Sequence, residues 1–348
     1  MRAVLIGAGA IAREHLAALQ AVPGVEVAGV CDLSPVMAEV TAQQFHVPRW
    51  FTDHRAMLAE VRPELVHVTT PPGSHARLAT DALEAGAHVL VEKPITHDLG
   101  EMEALLALAE RKGRLLVEDH NYLFNAPVAR LLSMQARGEL GELVHVHVTF
   151  HLAILGAGSR YVDPNVPHPA SQGPGGAIAD FVTHLAYLGV AFAGPSAELY
   201  VSWRKRGDSP LPADELRALM EGERGSALLE FSSHAQPDGF WIEAHGTRLR
   251  ARASLFEPLL AIERLRPGPR PLVPVKNGLA VALAQARAGI GGLTRKLSGR
   301  PMSYEGLHEL VRRTVVAIRG GGPPPVTPAD IRAVNRLVHG LLTARKAA

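Results

Sequence analysis

Ala3-Val4-Leu5-Ile6-Gly7-Ala8-Gly9-Ala10-Ile11-Ala12 decides how this chain begins to fold. Four apolar residues make a short buried strand, and the small residues after them turn the chain into a helix. The run fits G-x-G-x-x-A. Gly7 permits the tight turn, Gly9 lets backbone approach a pyrophosphate, and Ala12 lets helix and strand pack closely. The helix start, around Ala10 and Ile11, offers free N–H groups to an anion. Asp32 ends the next strand, 20 residues after Ala12. A carboxylate there can accept hydrogen bonds from ribose hydroxyls and would repel a 2′-phosphate. The pattern favours NAD over NADP, while Arg13 and Arg49 keep NADP open.

The same alternation continues outward. Apolar strands are expected at 3–6, 25–31, 65–68, 88–91 and 115–117, with helices at 10–21, 35–45, 74–85 and 99–112. Strand–helix alternation with apolar strands predicts a doubly wound parallel sheet covered on both faces. Past residue 121 the pattern changes. A helix is expected at 127–137, followed by a half-buried strand in which Val144, Val146, Val148, Phe150 and Leu152 alternate with polar residues. Further strands are expected at 197–203, 227–233, 240–245 and 249–254. Runs of strands after a βαβ block predict a second domain on an antiparallel or mixed sheet. The expected division is 1–120 and 121–348. A last helix, Pro328–Thr343, is capped by Thr327 and packs back near the junction.

Composition bounds the function. A chain of 348 residues suits two domains. A net charge of +2 predicts no nucleic acid or anionic membrane as partner. Cys31 is the sole cysteine, so no intrachain disulfide or thiolate metal cluster forms. The opening apolar run is too short for a secretory signal, and the expected location is the cytoplasm. The most apolar stretch, 177–194, carries Asp180, Thr183 and His184. It reads as a core helix bearing site residues, since buried charge is costly in a bilayer.

Two further motifs carry chemistry. Val89-Leu90-Val91-Glu92-Lys93-Pro94 ends a strand on a charged pair, and carboxyl ends of parallel strands are where ligands bind. Thr69-Thr70-Pro71-Pro72-Gly73-Ser74-His75 is a rigid turn after another strand, read either as a wall along a cofactor or as plain connection. Asp180 and His184 are four apart and share one helix face. His145, His147 and His151 share one face of a strand. Three imidazoles could hold zinc, but a polar sheet face is the preferred reading and no metal is expected.

Thr70-Pro71, His75, the helix over 79–86, His88-Val89-Leu90 and Glu92-Lys93-Pro94 together resemble the Gfo/Idh/MocA oxidoreductases. That family includes glucose-fructose oxidoreductase and inositol dehydrogenase. The resemblance resumes at Gly175-Gly176-Ala177-Ile178-Ala179-Asp180-Phe181-Val182-Thr183-His184 and weakens after about residue 250. It implies an N-terminal Rossmann domain and a C-terminal α/β domain. The second domain's largely antiparallel open sheet would line the substrate pocket and mediate a homo-oligomer, a dimer or tetramer. Carried over by position, Lys93 hydrogen-bonds the reacting oxygen, His184 gives or takes the proton, and Asp180 binds substrate or orients neighbours. The cofactor residues would be Gly7, Gly9, Ala10, Ile11, Asp32, Thr70, Pro71, Pro72, His75, Glu92, Lys93 and Asn121. The substrate residues would be Lys93, His120, His151, Tyr161, His168, Asp180 and His184.

The implied activity is NAD(P)-dependent hydride transfer to or from a hydroxyl or carbonyl of a sugar, cyclitol or related polyol. Two alternatives stay open. One is a glycosidase or epimerase-like enzyme using transient oxidation with retained cofactor; the other is a non-catalytic NAD-binding regulator. Leu123 stands where the family commonly has arginine, which puts one familiar contact in doubt. The segment 255–300 also fits the family poorly. It reads as an oligomer contact, an arm over the pocket or a membrane-surface patch, with a partly solvated helix pair the plainer reading.

Overall fold

The computed structural model describes residues 1–156, 159, 161, 178–206, 211–257, 259–266, 268–297 and 304–344. The chain divides into two compact units: Met1–Asn121 with Leu307–Asn335, and Tyr122–Gly306 with Arg336–Ala348.

The first unit alternates β1 (Arg2–Ile6), α1 (Ala12–Gln20), β2 (Glu26–Cys31), α2 (Pro35–Gln44), β3 (Trp50–Phe51), α3 (His54–Val61), β4 (Leu65–Val68), α4 (His75–Glu84), β5 (His88–Val91), α5 (Leu99–Lys112) and β6 (Leu116–Glu118). All strands pair in parallel in the order β3-β2-β1-β4-β5-β6. The chain winds outward from β1 to β3, then crosses back to β4. That reversal places the switch point between β1 and β4, where a crevice opens at the strands' carboxyl ends. β3 and α3 do not stand out in the sequence, because a two-residue strand has no period to read.

In the second unit come α6 (Ala126–Ala136), β7 (Leu143–His151), α7 (Ala179–Ala193), β8 (Ser196–Arg204), β9 (Glu215–Gly222), β10 (Gly225–Ser232), β11 (Gly239–Gly246), β12 (Leu249–Ser254), β13 (Leu260–Arg264) and α8 (Val273–Leu297). The sheet order is β13-β12-β11-β7-β10-β9-β8, antiparallel except for the parallel pair β7–β10. Strand parity sets its faces. Val146, Val148 and Phe150 point inward with Leu229, Phe231, Phe240 and Ile242, while the residues between them point outward. The apolar α7 covers the inner face. A Cβ on Gly189 would stand 3.0 Å from Leu229 Cδ2 and 3.2 Å from Met220 Sδ, so the glycine eases the close approach of helix and sheet. Tyr187 and Phe192 are almost wholly enclosed there. Each such side chain stabilises the fold by about 1.5–3 kcal/mol.

Two late helices, α9 (Glu305–Gly320) and α10 (Pro328–Thr343), contribute Leu307–Asn335 to the first unit. Leu307, Leu310, Val311 and Val315 recur at helical spacing and are fully buried. Polar ties accompany the apolar ones. Arg319 donates to the Pro23 carbonyl at 2.9 Å, Arg332 pairs with Glu103 at 2.8 Å, and Asn335 Nδ2 donates to Glu118 Oε2 at 2.7 Å. Thr327 and Asp330 cap α10 reciprocally.

Candidate active site

In the first unit the site residues lie at the ends of β1, β2, β4, β5 and β6. Gly7 leaves β1 with φ +100°, and a Cβ on it would meet Thr70 Cγ2 at 2.7 Å and the Thr69 carbonyl at 2.8 Å. Ala8 N–H and Ser34 N–H both donate to the Asp32 carboxylate at 2.8 Å. A carboxylate has about four acceptor positions, so Asp32 keeps capacity for hydroxyl donors. Gly9 and Ala10 are exposed, and a Cβ on Gly9 would meet nothing within 4 Å. No side chain caps α1 at Ile11. The arrangement leaves open space before a helix N-terminus, which suits a pyrophosphate.

The β4 turn is held from inside. Thr69 Oγ1 donates to the Gly7 carbonyl at 2.7 Å, and Ser74 Oγ donates to Thr70 Oγ1 at 2.7 Å. His75 is buried with Nδ1 2.9 Å from the Pro94 carbonyl and Nε2 2.7 Å from the Thr70 carbonyl. Its ring bridges the turns after β4 and β5. Burial lowers its pKa, against the opposing pull of those two carbonyls. The turns carrying Thr70, Pro71, Pro72 and Lys93 are thereby fixed to each other, with His75 beneath them.

Behind Lys93 lies a dry polar cluster. Glu92 Oε2 accepts from the Lys93 backbone N–H at 3.1 Å, and Oε1 is 3.0 Å from His15 Nε2. His15 Nδ1 is 3.0 Å from His67 Nδ1, and Asp119 Oδ2 is 3.7 Å from His15 Nε2. Burial, then the charge and hydrogen bond of Glu92, push the Asp119 carboxyl well above its usual range. Burial also opposes ionised Glu92, but the His15 hydrogen bond and the charges of His15 and Lys93 outweigh it and hold Glu92 low. Burial and then His15 push His67 well down, leaving it neutral. The two neighbouring carboxyls are thus pushed in opposite directions, Asp119 up and Glu92 down. His15, Glu92 and Asp119 also form a set whose ligand atoms lie within 4.8 Å of one another.

Glu118 is buried beside this cluster. Its Oε1 accepts from Ile95 N–H at 2.8 Å, and its Oε2 lies 3.1 Å from His120 Nε2. His120 is fully enclosed and Asn121 nearly so.

In the second unit, α7 carries Asp180, His184 and Tyr187 at successive turns. His184 Nδ1 is 2.8 Å from the Tyr187 hydroxyl, which also accepts from Tyr122 N–H at 3.3 Å. Tyr122 meets the His184 ring edge-on at 4.9 Å, and Phe150 stacks on Phe240 nearby at 4.1 Å. Tyr161 donates its hydroxyl proton to Asp180 Oδ2 at 3.0 Å. His168 lies outside the described residues.

His151 does not join them. It neighbours Phe150, which faces α7, so strand parity turns it to the opposite side of the sheet. There it meets Trp241 edge-on at 5.0 Å and lies 3.5 Å from Glu230. His147 lies 3.2 Å from Glu230, Arg217 lies 3.1 Å from it, and His145 stacks on His245 at 4.1 Å. The three histidines share a face as expected, and on it they meet a carboxylate and other rings. The His147 hydrogen bond first, then Arg217, hold Glu230 down at about 2 against its partial burial.

Several participants were not singled out from sequence. Tyr187 stands three residues after His184, a helical spacing that could have marked it. His15, His67 and Asp119 converge from three separate elements, and no local pattern announces that.

The Gfo/Idh/MocA family model, described as the oxidoreductase family with an NAD-binding Rossmann fold, matches residues 1–120. Among curated proteins, the chain is 31% identical over 156 residues to glycosyl hydrolase family 109 protein 2 of Akkermansia muciniphila, covering 42% of this chain and 33% of that protein. It is 27% identical over 165 residues to D-apiose dehydrogenase of Paraburkholderia graminis, covering 47% of this chain and 44% of that one. The chain therefore spans less than half the length of these relatives. A crystal structure of an oxidoreductase from Agrobacterium radiobacter, in complex with NAD+, L-tartaric acid and magnesium, shares the fold. It superposes with a TM-score of 0.80 at 17% identity, over 99% of this chain and 96% of that one.

Proposed function

We propose that this chain, whose first 120 residues match the Gfo/Idh/MocA oxidoreductase family model, belongs to that family and transfers hydride between NAD and a hydroxyl or carbonyl of a sugar, cyclitol or related polyol. The observation that carries the reading is the end of β5. Glu92 clamps the Lys93 backbone at the carboxyl edge of the sheet that also presents Gly9 and Asp32.

The residues fit the dinucleotide. The N–H groups around Gly9, Ala10 and Ile11 would hold the pyrophosphate, and Asp32 the adenosine ribose hydroxyls. The Thr70–Pro72 turn would border the cofactor. Bound nicotinamide supplies the hydride acceptor or donor. Lys93 would hydrogen-bond the reacting oxygen through its ammonium group. His184 would exchange the hydroxyl proton at Nε2 while Tyr187 holds Nδ1. With Nδ1–H donating to the phenol oxygen, Nε2 would be the base that takes the hydroxyl proton in oxidation, and the imidazolium so formed would return it from Nε2 in reduction. Asp180, held by Tyr161, would orient substrate.

Support for a sugar-like substrate comes from the D-apiose dehydrogenase relative. The glycosyl hydrolase relative favours a second reading, in which oxidation is transient and the cofactor stays bound. The experiment is Lys93→Ala tested against a polyol and glycoside panel. Turnover should fall at least ~100-fold while NAD binding persists. Turnover near the wild-type rate would remove Lys93 from the mechanism. Product formed without release of NADH would select the second reading.

A further inference from the structure

We propose that α8 docks on the surface of an anionic lipid membrane. The helix has two apolar faces, and only one of them is covered among the described residues. Val281, Ala284 and Ala288 pack against Leu259 and Ala261 beside β13. At about 100° per residue, the opposite side gathers Val275, Leu279, Leu283, Ile290 and Leu293 within an arc of roughly 80°. These five side chains are between 51% and 67% exposed. Aliphatic residues aligned so closely on an outward face mark an interaction surface.

Charge identifies the partner. Between residues 264 and 297 the chain holds seven arginines and lysines and no aspartate or glutamate. With a net charge of +2 overall, the remaining residues carry a net −5. The expectation of no membrane partner rested on that overall figure, which averages the asymmetry away. Lys276 and Arg287 fall at about 100° and 120° on the same wheel, along one border of the apolar stripe. Arg264, Arg266 and Arg270 lead into the helix.

A second copy of the chain meeting α8 head-on would set basic border against basic border, with no acid in the segment to pair them. A nucleic acid would satisfy the cations but offers no apolar phase for Leu279, Leu283 and Ile290. An anionic bilayer supplies both, phosphates at the headgroups and acyl chains just beneath. No helix among the described residues is long and apolar enough to cross a membrane, so α8 would lie in the interface plane.

The test is flotation of the full-length protein with vesicles of phosphatidylcholine alone or mixed with phosphatidylglycerol. Binding should be at least about ten-fold stronger to the anionic vesicles and should weaken as salt rises. The double variant Leu279→Glu/Leu283→Glu should lose this binding while keeping its circular dichroism spectrum and its NAD affinity. The inference is overturned if the wild type ignores anionic vesicles at low salt. It is equally overturned if the double variant binds them undiminished. Should the double substitution instead split an oligomer in light scattering, with vesicle binding absent throughout, the stripe is a contact between copies.

Discussion

The first unit buries His15, His67, Glu92 and Asp119 together, while the second sets His147, His151 and Arg217 around Glu230 on the outer face of its sheet. Both sets join imidazoles to carboxyl groups. In the buried cluster the neighbouring carboxyls are pushed apart, Asp119 up and Glu92 down. On the outer face solvent and a guanidinium tolerate full ionisation, and Glu230 stays charged to low pH. Burial raises Asp119, while the partners His15 and Lys93 hold its equally buried neighbour Glu92 low.

Glu92→Ala should break the comparison most visibly. It leaves His15 Nε2 and the Lys93 N–H without their carboxylate and should cost about 3 kcal/mol in urea unfolding. A loss in the range of surface substitutions, ~0.5 kcal/mol, would mean that the cluster behaves like the outer one. Asp119→Asn gives a subtler signature. A raised native pKa means that folding takes up a proton above the unfolded value of ~3.9. Wild-type stability therefore falls as pH rises from there toward the native pKa. Asparagine does not titrate, so melting temperatures at acidic and alkaline pH should favour the variant increasingly as pH rises. The opposite trend would place a charge on Asp119.

Glu230→Gln should have the smallest effect, below ~1 kcal/mol and shrinking with salt, because Arg217 and His147 are partly solvated. Its depressed pKa sets the sign. The contribution is present above the unfolded value of ~4.3 and is lost as pH falls toward about 2. The gap between wild type and variant should close in acid.

Legibility followed the reach of each signal. Gly7, Gly9, Ala12 and Asp32 are local, and the doubly wound sheet could be read from them and from the apolar strands. β9 went unread because Leu219, apolar on the outward parity it shares with Arg217 and Glu221, makes 218–220 a continuous apolar run that hides the alternation. The placing of His151 was readable from parity, since Phe150 must face the core. The residues around Glu92 were not, because His15, His67 and Asp119 meet only through the parallel order β1-β4-β5-β6. That 273–297 is one long helix with an uncovered stripe was likewise hidden, because glycines and arginines scattered along it obscure the period.

The bond from Asn335 to Glu118 spans 217 residues of sequence. A ribosome delivers residues 1–121 first and must then synthesise residues 122–306 of the second unit before 307–335 emerge. Until then β6 ends in a carboxylate whose amide partner does not exist, and α9 has not yet covered its share of the sheet. Completion of the first unit thus waits until 307–335 have been made. A transcript truncated ahead of codon 307 would encode both sheets and still leave the first of them unfinished.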